Sequence, residues 1–126
     1  DEELIVVLKA VTYDEGFKAC NKLLDLPNPP DGVFAPGDIM GVSAIQCAKK
    51  RGIKIPEELA VIGFNNDQIS QIIDPNLTTI THPAAKMGKA AAEIILKNLK
   101  SLKKDEVKEI TFLNTEVLVR ESSRRI

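Results

Sequence analysis

No tryptophan occurs in this sequence, and its aromatic residues are one Tyr and four Phe. A chain so poor in rings offers little surface on which a planar or sugar-like ligand could stack. Histidine is nearly absent too. His82 has no second His or nearby Cys, which excludes a metal cluster or a nucleophile dyad built on it. Cys20 and Cys47 lie far apart and form no zinc or redox motif; each falls in a helical pattern and reads as a small buried hydrophobe, compatible with a reducing compartment. Charge of one sign is not in excess, since 17 Lys and Arg face 18 Asp and Glu. Beyond Lys49-Lys50-Arg51 and Arg124-Arg125 there is no basic block, so this segment is not built to bind nucleic acid or an anionic membrane. No apolar run approaches the ~20 residues of a membrane span, and no signal peptide is visible. Also missing are a Gly-rich phosphate loop after a strand, a nucleophile elbow and a carboxylate pair suited to proton transfer, so no catalytic residues, metal or cofactor are expected.

What is present is an ordinary globular composition, 44% hydrophobic and 28% charged. A chain of this length could bury roughly two-thirds of its unfolded surface as one small domain or part of a larger one. It starts with Asp1 and is in an apolar run by Leu4, so it reads as a piece of something longer. Leu4–Ala10 reads as a strand. Thr12 and Glu15 fit a capping box, and Tyr13, Phe17, Cys20 and Leu24 then recur on one helical face until Pro27, Pro29 and Pro30 stop the helix. Gly32–Ala35 is a buried strand. A second helix runs from Asp38 to Arg51, with Gly41, Ala44, Ile45 and Ala48 on its packing face, basic residues at its C-terminal dipole and Gly52 just beyond. Strands follow at Ala60–Phe64 and Leu77–Ile80. Pro83 opens a long helix to about Lys100, and Ile110–Leu113 and Glu116–Arg120 are β-like. Alternation of strand and helix predicts an α/β fold with an open parallel sheet flanked by helices. Met87, Ala90, Ala91, Ala92, Ile94, Ile95, Leu96 and Leu99 wrap most of the long helix, so it is expected to be buried on more than one side, against a lobe absent here.

The informative stretch is 31–83. Two short apolar strands flank a helix, and a polar loop follows each strand; ligands of open α/β sheets bind in the crevice outside the carboxyl ends of the strands. Asp38 and Asn65-Asn66-Asp67 fall there, which suggests half of a site for a polar small molecule. Asp38 serves either as a helix N-cap or as a ligand contact. Asn65 carries both a donor and an acceptor for a polyol or sits in a turn, where Asn tolerates left-handed backbone. Asn66 and Asp67 read as turn or cap residues.

These pieces, taken in order, resemble the lactose-repressor (LacI) family of transcription regulators: Thr12–Leu24, then PDGVFAPGDIMGVSAIQCAKKRGIKIPEELAVIGFNND, then DPNLTTITHPAAKMGKAAAEIILKNL, and LNTEVLVRES. The resemblance covers nearly the whole chain. It implies a two-lobed, periplasmic-binding-protein-like sensor whose cleft takes a sugar, nucleoside or similar metabolite and controls a helix-turn-helix headpiece. Residues 1–81 would be second-lobe core, 82–107 a crossover helix packing on the first lobe, and 108–126 the returning strands and tail; the headpiece, the first lobe and the second lobe's first strand would lie outside the chain, so operator DNA would be met only through the missing headpiece. Carried over by position, Gly37, Asp38 and Asn65 line the cleft, with Val11 and Thr12 nearby. Many members have Asn where this chain has Gly37 and an acidic residue where it has Asn65. Val42, Gln46, Ile69, Ile72 and Ile73 fall at the family's homodimer contact, unless the isoleucines are ordinary core. His82-Pro83 marks the crossover. A cytoplasmic effector-binding regulator is therefore expected. A periplasmic sugar receptor is the alternative, and an enzyme the remotest of the three.

Overall fold

The computed structural model describes residues 2–100 and 110–125. They form two compact units, Asp1–Thr81 with Glu116–Ile126, and His82–Thr115.

The first unit is built around a four-stranded sheet. Its strands are β1 (Gly32–Phe34), β2 (Ala60–Asn65), β3 (Thr78–Thr81) and β4 (Val117–Leu118), in that spatial order. β1, β2 and β3 are parallel, whereas β4 runs antiparallel to β3, so the sheet is mixed rather than wholly parallel as the alternation suggested. The chain leaves the sheet after Thr81, passes through a helix (Ala84–Lys100), and re-enters as β4 along the edge of β3. Helix α1 (Tyr13–Leu24) starts where expected: the Thr12 hydroxyl accepts the Glu15 N–H at 3.3 Å. Helix α2 (Asp38–Lys50) ends at Arg51, followed by Gly52 at φ +72°, a left-handed closing residue. A single-turn helix α3 (Ile69–Ile72) connects β2 to β3.

The core lies between the sheet, α1 and α2. Ile45, Leu59, Val61 and Leu77 are completely buried, and each contributes on the order of 1.5–3 kcal/mol by leaving water. Tyr13, Phe17 and Leu24 pack against this cluster beside buried Cys20. Arg51 ties the helices together by donating to Asn21 and pairing with Asp25, while Lys50 lies 4.8 Å from the centre of the Phe17 ring. The C-terminal segment is woven in: Ser122 Oγ donates to Val61 O at 2.6 Å and accepts the Thr78 N–H at 2.8 Å.

Two expected strands do not form. Leu4–Ala10 begins in a 3-10 turn (Glu2–Leu4) and makes no ladder. Leu4, Val6 and Leu8 line a 140 Å³ apolar cavity with α1 and β1, while Ile5 and Val7 are 69% and 91% exposed. The two-residue alternation of a strand is thus real, but alternation sets only which side is apolar; a strand also needs a neighbour for its N–H and C=O groups. Ile110–Leu113 has no strand either, and Glu116–Arg120 contracts to the two residues of β4.

In the second unit, α4 (Ala84–Lys100) spans the expected helix. Met87, Ile95, Leu96 and Leu99 are exposed, in keeping with the expectation that the apolar circumference of this helix packs on a lobe outside the chain.

Candidate functional site

The carboxyl ends of β1 and β2 lead into the two loops that the sequence singled out. After β1, Ala35-Pro36-Gly37 leads to α2. Gly37 is the N-cap, with no side-chain bond, and Asp38 is already the first helical residue, so Asp38 is not the cap. Its carboxylate turns inward and is fully buried. Oδ2 accepts the Asp67 N–H at 2.6 Å and Oδ1 accepts the Thr79 hydroxyl at 2.5 Å. The capping expectation fails because the buried Thr79 hydroxyl and the partly buried Asp67 N–H take the same oxygens, and in the interior an unpaired donor is costlier than an uncapped helix end in water. The same geometry removes Asp38 as an exposed ligand contact.

Gly63 makes this approach possible. It stands opposite Thr79 in the β2–β3 register, and a Cβ there would come 2.3 Å from Asp38 Oδ1 and 2.9 Å from Leu77 Cδ2. Thr79 Oγ1, while donating to Asp38, accepts the Asn66 N–H at 3.2 Å. The Asn66 side-chain oxygen accepts from Arg120 Nη2 at 2.8 Å. Three groups from α2, β3 and the segment after β4 therefore fix the loop after β2.

That loop has unusual backbone. Asn65 has φ +107° and Asn66 φ +58°, a region L side chains seldom adopt and Asn tolerates best. The Asn65 side chain is exposed and makes no hydrogen bond among the described residues. It keeps a complete donor and acceptor pair for a ligand. On the neighbouring edge, Val11 is 61% exposed and its Cγ1 lies 3.2 Å from where a Gly37 Cβ would be. Gly37 has an extended backbone open to any residue, so its smallness matters for the space beside Val11. Thr12 is exposed, and its oxygen caps α1. The structure thus joins Gly37, Asp38 and Val11 to one edge, with Asn65 carried on the loop that Asp38 anchors.

The five residues expected at a subunit contact divide differently. Val42 is only 6% exposed and belongs to the core, because α2 packs against α1, β1, β2 and α3 rather than on one face. Ile69 and Ile73 are half-buried against the same core, Gln46 is half-buried, and Ile72 is 73% exposed. Sequence reasoning missed Thr79 and Arg120 altogether. No motif marks either as a loop-fixing residue; only the fold brings them beside Asn66.

A model of the periplasmic binding protein-like domain matches residues 4–123. The chain belongs to that family. Within it, the relatives are LacI-type transcription regulators. The domain is 36% identical over 115 residues to the HTH-type transcriptional repressor CytR of Escherichia coli, covering 91% of this chain and 33% of CytR. It therefore spans about a third of the curated relatives it matches. Among solved structures, the CelR–cellobiose complex superposes with a TM-score of 0.83 at 31% identity, covering 98% of this chain and 37% of that one. A LacI family regulator from Enterococcus faecium with bound ribose gives 0.73 at 27% identity, covering 90% and 41%. Among its described residues the domain contains no group of His, Cys, Asp or Glu arranged to hold a metal, and no helix long and apolar enough to cross a membrane.

Proposed function

We propose that this domain is the effector-binding part of a LacI-type transcription regulator, sensing a sugar or related polar metabolite and switching the operator affinity of a helix-turn-helix carried elsewhere in the protein. The observation that carries the reading is the Asn65 amide, free of internal hydrogen bonds among the described residues at the carboxyl edge of the sheet, beside Asn66 and Asp67, whose main-chain N–H groups are already bonded, as is the Asn66 side-chain oxygen. Asn65 would read ligand hydroxyls. Val11, Gly37 and Thr12 would shape the adjoining wall, and Asp38 would hold that edge together from within. The cellobiose and ribose bound in related structures support a sugar as the class of effector. Relatives named as transcriptional repressors favour a cytoplasmic regulator over a transport receptor.

Segment 82–107 would cross to a first lobe and 108–126 return from it, placing the ligand between two lobes. Effector and operator would favour different lobe arrangements, each weakening the other by typically ~1–3 kcal/mol. The protein would act as a homodimer, with Ile72 and Gln46 at the contact and half-buried Ile69 and Ile73 supporting it. Calorimetry of the intact protein with D-glucose, D-ribose and cellobiose, followed by operator retardation with whichever binds, tests the reading. Binding by one sugar with altered operator affinity is expected; binding with no effect on any DNA would leave a receptor.

A further inference from the structure

We propose that Arg120 is a positioning residue for ligand recognition: by donating to Asn66, it holds the left-handed loop that presents the Asn65 amide. The proposal rests on the effector-site reading above and adds to it a residue that touches no ligand.

Arg120 lies two residues past β4 and is half-buried. Its main-chain N–H is bound by Thr78 Oγ1 at 2.7 Å, so its own backbone is anchored to β3. The guanidinium reaches three places. Nη1 donates to Leu77 O at 2.7 Å and to Ser70 Oγ at 3.0 Å, and Nη2 donates to Asn66 Oδ1 at 2.8 Å. Leu77 and Ser70 are fully buried parts of the β2–β3 crossover, whereas Asn66 belongs to the ligand loop. Arg120 forms no ion pair among the described residues, and its hydrogen-bond acceptors there are all neutral. A planar fork of donors suits this task, and a lysine ammonium could not reproduce it.

The loop needs such a hold because two consecutive non-glycine residues, Asn65 and Asn66, have positive φ. Backbone of that kind persists only where surroundings over-determine it. The Asn66 N–H on Thr79 and the Asp67 N–H on Asp38 fix the main chain from below; Arg120 fixes the Asn66 side chain from the other strand.

The test uses the intact protein with three readouts: amide hydrogen exchange at Asn66 and Asp67 without ligand, thermal midpoint, and calorimetric titration with D-glucose, D-ribose and cellobiose. Asn66→Gly removes the acceptor while accepting positive φ, and Asn66→Asp restores it. Asn66→Gly is expected to speed exchange of both amides and to weaken the tightest of the three sugars about tenfold, with the thermal midpoint nearly unchanged. Asn66→Asp is expected to restore both. Arg120→Gln is expected to repeat the loss, and the double variant to be no worse than either alone. Faster exchange with sugar affinity changed by less than about twofold would overturn the proposal and leave a sugar-binding effector domain standing. Unchanged exchange would overturn it as well, as would lost binding that tracks a fallen thermal midpoint and is not rescued by Asp. If the unaltered protein binds none of the three sugars, the sugar-effector reading fails and the proposal with it.

Discussion

At Asp38, burial strips away the water that would otherwise solvate a carboxylate, so the Asp67 amide and the Thr79 hydroxyl must do so instead. Asp38→Asn turns one acceptor into a donor facing a donor. It is expected to cost about 1–3 kcal/mol in urea denaturation and to loosen the loop after β2. The cysteines behave differently. Burial pushes the Cys20 thiol up to about 12, and burial likewise raises Cys47. In the unfolded chain both ionise near the ordinary value of 9.0, whereas the native chain keeps its protons there. The native state therefore binds more protons above that value, and stability is expected to fall as pH rises from 9.0 towards about 12. Below 9.0 the thiols contribute no pH dependence. A thiol reagent at about pH 8 should label neither cysteine until the protein is unfolded; rapid labelling of the native protein would contradict the burial argument.

Among the elements, sequence reading succeeded where a local signal and the tertiary environment agree. Thr12 at a capping position, Gly52 after three basic residues, and the apolar spacing of α1 are all locally determined, and each stands where expected. Local signals failed where the decision belonged to a distant partner. The alternation in Leu4–Leu8 is genuine, but whether it becomes a strand depends on a neighbouring backbone that lies outside the segment itself. Asp38 has the chemistry of a cap, yet Thr79 and Asp67 claim it because the β2–β3 register brings them within reach, and no spacing in the sequence announces that register. The family resemblance puts Val42 at a subunit contact, but α2 is enclosed by four other elements, so it has little outer face to offer there. At the proposed ligand edge, the loop and Asn65 were legible from the strand–loop order. Arg120 was not, because its contact joins residues far apart in the chain that only the sheet brings together.

At the level of the whole molecule, the first unit is left after Thr81 and re-entered at Glu116, and these two points are bonded to each other: the Thr81 N–H reaches Glu116 O at 2.8 Å and the Glu116 N–H reaches Thr81 Oγ1 at 2.9 Å. Ile72, exposed on α3, is the clearest apolar candidate for association on this unit's proposed subunit face. In the intact protein Ile72→Asp is expected to shift light scattering from dimer to monomer with the thermal midpoint of the monomer preserved; an unchanged dimer would assign the contact elsewhere.

Residues 120–125 reach back across the fold. Arg125 grips Asp31, Ser122 closes on Val61, and Arg120 steadies Asn66. During synthesis all three partners leave the ribosome long before the residues that secure them. A nascent chain can therefore assemble α1, α2 and the first three strands while its recognition loop is still unfastened and the edge of β3 is still bare. Competence for the proposed ligand would therefore come after the core has formed, not with it. A premature stop before Arg120 would yield a protein that retains much of its helical core and lacks the contact that holds the proposed ligand loop.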